Sequence, residues 1–123
     1  MRKITKLLLL LTAPLVALAG CATHYQKETV FSNGYSDYRV SDDRFVVTFR
    51  ANEFTPAEKV MKYALKRASE LTLKQGYRYF VVIEQTDSGK HLSYPSLRLL
   101  IQCHQNPPAD RESIDAAQFL AKR

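Results

Sequence analysis

Between Thr55 and Gly76 the chain carries a full set of signals for one long helix, and whatever else folds must accommodate it. Thr55-Pro56-Ala57-Glu58 offers a capping hydroxyl, a proline at the first helical position and a glutamate three residues after the cap, a pattern that satisfies the orphan amides of a helix start. Ala57, Val60, Met61, Ala64, Leu65, Ala68, Leu71 and Thr72 then recur at spacings of three and four, which turns one stripe toward a core. The small Ala64 and Ala68 let that stripe approach a sheet closely. The helix is expected to run to about Gln75 and to stop at Gly76, a residue suited to the left-handed conformation.

The segments on either side change period from 3.6 to two. Tyr38-Arg39-Val40, a polar turn at Ser41-Asp42-Asp43, and Arg44 to Arg50, where Phe45, Val47 and Phe49 alternate with Arg44, Val46, Thr48 and Arg50, predict a hairpin. Tyr77 to Gln85 predicts a strand with apolar residues on both faces, Tyr79, Val81 and Ile83 on one and Phe80 and Val82 on the other, as in strands covered on both sides. Thr86-Asp87-Ser88-Gly89 predicts a turn, and Leu97 to Cys103 a strand in which Leu97, Leu99, Ile101 and Cys103 share a face. Asn106-Pro107-Pro108 breaks the chain, after which Asp110 is placed to cap a short final helix carrying Ile114, Ala117 and Leu120.

The order β-β-α-β-β-α predicts an α+β fold. It is a two-layer sandwich, a mainly antiparallel sheet of about four strands packed on the long helix through Phe45, Val47, Phe49, Tyr79, Val81, Ile83, Leu97, Leu99 and Ile101. A right-handed crossover makes the strand at residue 44 parallel to the one at residue 77, either adjacent or with the last strand between them.

The amino end has a different character. Arg2, Lys3 and Lys6 precede an apolar run from Leu7 to Leu18 that leads through small residues to Leu18-Ala19-Gly20-Cys21, which is the anatomy of a signal peptide. A membrane-spanning helix needs about 20 apolar residues, and this run is shorter and interrupted by Pro14. Ala17-Leu18-Ala19 also satisfies an ordinary secretory cut site, but Leu18, Ala19, Gly20 and Cys21 resemble the bacterial lipobox at all four positions. In such proteins a diacylglyceryl group is attached to the Cys thiol, the leader is cut before it, and the freed amine is acylated. Three acyl chains at about 0.8 kcal/mol per buried methylene hold a protein at the membrane permanently. Ala22 resembles the residue that follows the cysteine in lipoproteins bound for the outer membrane of Gram-negative bacteria.

Loss of residues 1–20 changes the charge. Eighteen basic residues lose Arg2, Lys3 and Lys6, leaving fifteen against twelve acidic ones, so the mature chain is near +3 where the precursor is +6. The basic precursor thus overstates affinity for polyanions. About 100 mature residues make one core, and with Cys21 lipidated the remaining Cys103 has no intrachain partner for a disulfide. Residues 21–37 are polar, with Asn33-Gly34 as a turn signal, and read as a lipidated tether able to extend about 50 Å from the bilayer. Val30, Phe31 and Tyr35 are alternatively placed to dock as a first edge strand. Residues 38–123 form the globular domain.

Gly34-Tyr35-Ser36-Asp37, Phe49-Arg50 followed by Asn52, and Arg67-Ala68-Ser69-Glu70-Leu71-Thr72-Leu73 leading to Gly76-Tyr77-Arg78-Tyr79-Phe80 resemble a family of small uncharacterised Gram-negative (proteobacterial) lipoproteins. The resemblance spans roughly Gly34 to Val82. The family pattern has glycine where Ala51 stands, and often a second alanine at Ser69. It implies a lipid anchor and a compact α+β domain, and it brings no activity.

Chemistry-bearing residues are few. His24 lies in the tether, His91 in a turn and His104 at a strand end, so no pair has metal-ligand or catalytic spacing. Cys103 and His104 are neighbours in a strand and point to opposite faces. Cys103 continues an apolar face and reads as a buried inert thiol; a redox role for it is the least favoured reading. Asp42-Asp43 is turn chemistry. No glycine-rich phosphate loop or Gly-x-Ser-x-Gly elbow occurs, so catalysis, cofactors, metals and nucleic acid are not expected.

Two surfaces remain. The outer helix face carries Lys59, Lys62, Lys66, Arg67 and Lys74 among Glu58 and Glu70, which reads as a solvated face with pairs such as Lys66 with Glu70. The sheet face away from the helix would carry Arg44, Val46, Thr48, Arg50, Arg78, Phe80, Val82, Glu84, Arg98, Leu100 and Gln102, and arginines beside aromatic groups are enriched at protein interfaces. Ile114 and Leu120 of the final helix are alternatively placed to cover that face. The expectation is a non-catalytic lipoprotein at the periplasmic face of the outer membrane that contacts another envelope protein through Arg44, Arg50, Arg78, Phe80 and Arg98. The alternative is a basic-surface module for anionic lipid, lipopolysaccharide or cell-wall polymer.

Overall fold

The computed structural model describes residues 21–30, 32–88 and 95–122; the segment expected to be a leader, with Leu18, Ala19 and Gly20, together with Phe31, Gly89 and His91, lies outside them. Among the described residues the chain forms β1 (Tyr35–Arg39), β2 (Arg44–Arg50), α1 (Ala57–Lys74), β3 (Tyr79–Ser88), β4 (Ser96–His104), β5 (Ile114–Asp115) and α2 (Ala116–Ala121). The fold is α+β, with one antiparallel sheet in the order β1-β2-β4-β3-β5. Because β4 pairs antiparallel with both β2 and β3, those two run parallel to each other, with β4 between them. That is the second of the two strand orders open to the sequence.

The helix stop follows from Gly76. With φ at 87° it takes the left-handed conformation, the Tyr77 amide donates to the Thr72 carbonyl at 3.0 Å and the Gly76 amide to that of Leu73 at 3.0 Å, which is a Schellman ending. Tyr77 is therefore spent on closing the helix, and β3 starts at Tyr79. Val60, Ala64, Ala68, Leu71 and Thr72 are buried as the stripe requires, joined by Ser69, whose hydroxyl donates to the Leu65 carbonyl. Ala57 is exposed, one turn short of the sheet's cover.

The sequence misassigns the faces of β3. Phe80 and Val82 pair with Cys103 and Ile101 and enter the core, Phe80 fully buried, whereas Tyr79 and Val81 pair with His104 and Gln102 on the other side. A strand apolar on both faces carries no phase, so alternation could not decide which set met the helix. A bulge at Ile83, between Val82 and Glu84, then inverts the alternation, and β3 continues through Ser88 in the stretch where a turn was expected.

The carboxyl end also differs. Ile114 is not helical but pairs with Phe80 in the fifth strand, and the cap of α2 is Asp115 rather than Asp110, its carboxylate accepting from the Gln118 amide at 3.1 Å. Asp115 is the residue positioned there because strand pairing delivers it to the helix start. Ala116 is buried against the core and α2 packs beside α1, so both helices cover one face of the sheet and α2 does not cover the other.

Candidate membrane-attachment site and open sheet face

The segment expected to be a loose tether is bonded to the domain. Cys21 is exposed, and its carbonyl accepts from Asn52 Nδ2 at 2.9 Å. Two residues on, Thr23 is buried: its amide donates to Thr55 Oγ1 at 2.8 Å and its own Oγ1 accepts from the Asn52 amide at 2.8 Å. Asn52 Oδ1 accepts from the Phe54 amide at 3.1 Å and from the Thr55 hydroxyl at 2.9 Å. These bonds make a polar knot at the end of β2 and the start of α1. Thr55 is consequently not the helix cap. Pro56 occupies that position without a side-chain bond, and its carbonyl accepts from Lys59 and Val60.

Beyond the knot, the chain continues along the edge of the domain. The Tyr35 amide donates to the Gln26 carbonyl at 2.8 Å and the Glu28 amide to that of Tyr35 at 2.7 Å. This approach requires Gly34, since a Cβ there would lie 2.1 Å from the Gln26 oxygen. Tyr25 stacks on Tyr35 with ring centroids 5.0 Å apart, meets Tyr63 at 5.5 Å and donates its hydroxyl to Glu70. Lys66 lies 4.2 Å over the Tyr25 ring. Lys66 and Glu70, expected to pair with each other, thus engage the ring and the hydroxyl of one tyrosine. Burial raises the Glu70 carboxyl above its ordinary range. Asp37 and Arg67 close the same edge with a half-buried ion pair of 2.6 Å.

The uncovered face of the sheet carries Tyr38 from β1, Arg44, Val46, Thr48 and Arg50 from β2, Arg98, Leu100 and Gln102 from β4, and Val81 and Glu84 from β3. Val46 is 6 % exposed although no helix covers it, because Glu84, Thr86, Arg98 and Leu100 ring it in a depression of about 230 Å³. The Arg98 guanidinium lies 5.8 Å over the Tyr38 ring and donates to a tyrosine hydroxyl, that of Tyr38 itself. Arg44 is exposed, and Arg50 is 3.4 Å from Glu28.

Two of the residues expected on this surface are not on it. Phe80 is in the core, and Arg78 lies 3.2 Å from Asp115, apart from the other arginines and beside the cap of α2; the Gln118 amide, and after it Arg78, holds the Asp115 carboxyl below its ordinary range. The structure brings Arg44, Arg50 and Arg98 to one face and adds Tyr38, which the sequence left in the hairpin without a role. A second candidate surface is a groove of about 320 Å³ between the helices, with Lys62, Lys66 and Lys122 around Phe119 and Leu120.

Cys103 is buried beside Thr72 Oγ1 at 3.5 Å, and desolvation pushes its thiol up, which keeps it protonated at neutral pH. Among the described residues no group of three or more His, Cys, Asp and Glu is placed to hold a metal, and no helix is long and apolar enough to cross a membrane. No protein-family model, curated protein or solved structure matches the chain.

Proposed function

We propose that the protein is a non-catalytic lipoprotein of the cell envelope, fixed through lipid on Cys21 to the periplasmic face of the outer membrane, that contacts another envelope protein through its uncovered sheet face. The observation that carries the reading is the placement of both helices on one side of the sheet, which leaves Tyr38, Arg44, Arg98 and Leu100 together at the surface. An arginine stacked on a tyrosine beside apolar groups is the composition of an interface centre.

The test is a photo-crosslinking residue at Thr48, in the middle of this face, in the full-length protein in its host, with Lys62 as the control position. A discrete adduct from Thr48 that is missing from Lys62 and lost on Arg98→Glu supports the reading. The same adducts from both positions overturn it. The anchor is checked separately: Cys21→Ser is expected to move the protein from the membrane fraction to the soluble fraction, and intact mass of the native protein to show an acylated cysteine.

The groove between Lys62, Lys66 and Lys122 favours a second reading, a module for anionic lipid, lipopolysaccharide or cell-wall polymer, with the apolar Phe119 and Leu120 receiving an acyl chain. Salt separates the two, because exposed charges are screened beyond about 8 Å at physiological ionic strength. Retention of the unlipidated domain on anionic vesicles that disappears in high salt supports the groove.

A further inference from the structure

We propose that the loop of residues 51–56, led by Phe54, is a second contact with the lipid bilayer, so that the domain is seated on the membrane in one orientation instead of swinging on a tether. The inference rests on the lipid-anchor reading of Cys21.

One carboxamide joins the two contacts. Asn52 donates from Nδ2 to the Cys21 carbonyl and accepts at Oδ1 from the Phe54 amide, so the residue that would bear the lipid and the loop that bears the aromatic ring hang from opposite ends of the same group. Thr23 and Thr55, both buried, lock the two backbones together. Phe54 stands out of this loop 58 % exposed, although its neighbours Ala51 and Thr55 are buried. A bilayer reached by acyl chains at residue 21 therefore lies within reach of the Phe54 ring, and phenyl groups settle at the boundary between headgroups and acyl chains.

The other end of the sheet shows that exposure alone does not decide this. Val40 is 54 % exposed in the β1–β2 turn, but the seven residues of β2 separate that turn from the knot by about 20 Å. Only one of these exposed apolar groups is tied to the anchor. Charge makes a smaller contribution to the seating: exposed Lys59 and Lys62 follow the loop, but Glu53 and Glu58 share the stretch, so the contact is apolar in character and independent of salt.

The chain contains no tryptophan, so Phe54→Trp and Val40→Trp each install a single reporter. The full-length lipidated proteins, purified from membranes, are reconstituted in phosphatidylcholine vesicles with and without brominated acyl chains. Phe54→Trp emission is expected to fall roughly twofold in brominated vesicles and to stay so in high salt, and Val40→Trp emission to be unaffected. Adding Thr23→Val or Asn52→Ala to Phe54→Trp is expected to release the quenching while the protein still floats with the vesicles. Circular dichroism of both variants reports whether the domain stays folded.

Flotation with neither reporter quenched overturns the seating and leaves the lipid anchor standing. Equal quenching of both reporters overturns it too, since the domain would then lie without a preferred end. Quenching that survives loss of the knot in a folded variant overturns the coupling between Cys21 and Phe54. Failure to float, with an unmodified Cys21 in the intact mass, overturns the anchor reading itself and the seating with it.

Discussion

The two faces of the sheet are made from the same strands and do opposite things. On the helix side, Phe45, Val47, Phe49, Phe80, Leu97, Leu99 and Ile101 meet Val60, Ala64, Ala68 and Leu71, every one of them almost wholly withdrawn from water. On the other side the only deeply buried residues of β2 and β3 are Val46 and Val81, and Val46 is sheltered by neighbouring side chains instead of a packed layer. Burial of apolar area stabilises the fold, so nearly all of that stabilisation resides on one face. The other face is free to vary in chemistry without threatening the fold, which is the condition for a binding surface.

The sharpest test of this division is Phe80, which the sequence pattern assigns to the open face and the structure to the covered one. Phe80→Ala is expected to lower unfolding free energy by about 3–5 kcal/mol, since the ring is fully buried opposite Cys103. A loss below about 1 kcal/mol in urea denaturation, the size typical of surface positions, would restore the alternation as the sequence has it.

Thr55→Val asks whether the amino-terminal segment belongs to the covered layer. The variant keeps the shape but deprives the Thr23 amide of its acceptor and Asn52 Oδ1 of a donor. A cost of about 1–3 kcal/mol is expected for buried groups left unpaired. Because Pro56, and not Thr55, sits at the helix cap, helix content by circular dichroism should be unchanged. A loss of helix signal in the folded variant would return Thr55 to the capping role.

On the open face, Arg98→Ala should alter stability by less than about 0.5 kcal/mol, the range of surface substitutions, while abolishing the crosslinked adduct expected from Thr48. Loss of several times that stability would make the Arg98–Tyr38 contact a structural element and deprive the proposed interface of its independence from the fold.

What was legible in the sequence follows the same division. The helix announced itself because a 3.6-residue period and a left-handed stop at Gly76 agreed, although the cap expected from Thr55 is not formed, and the hairpin at Ser41-Asp42-Asp43 because polar turn residues precede an alternating run. The strand order β2-β4-β3 was confined to two possibilities by the crossover. β3 defeated the pattern, because Tyr79 to Ile83 is apolar without interruption and the Ile83 bulge shifts register with no glycine to signal it. The knot was illegible for another reason: Thr23 and Thr55 are 32 residues apart, and side-chain hydrogen bonds at that separation leave no periodicity to read. Asn52 three residues before Thr55 was the one local hint, since such residues close turns on their own backbone. The anchor proposed at Cys21, conversely, rests on a motif of contiguous positions, Leu18 to Cys21, and contiguous chemistry is what a sequence displays best.

The smallest effect lies at the border between the two regions, where Tyr25 covers Glu70. Burial raises the Glu70 carboxyl in the folded protein above its value in the unfolded chain. The native state therefore holds this proton more tightly, and the contribution of Glu70 to stability is greatest below the unfolded value near 4.5 and is lost as pH rises through the raised one. Glu70→Gln retains a carbonyl acceptor for the Tyr25 hydroxyl but has no charge to desolvate. Measured by urea midpoint, the variant should match or slightly exceed the parent at pH 7, and that advantage should shrink by pH 4, where the parent carboxyl is itself largely protonated. If the parent instead gains on the variant as pH rises from 4 to 7, the carboxylate is stabilised in place by its donors more than burial opposes it. The Tyr25 clasp would then be an ionic contact, and the amino-terminal segment would be held to the domain by charge as well as by the neutral bonds of the knot.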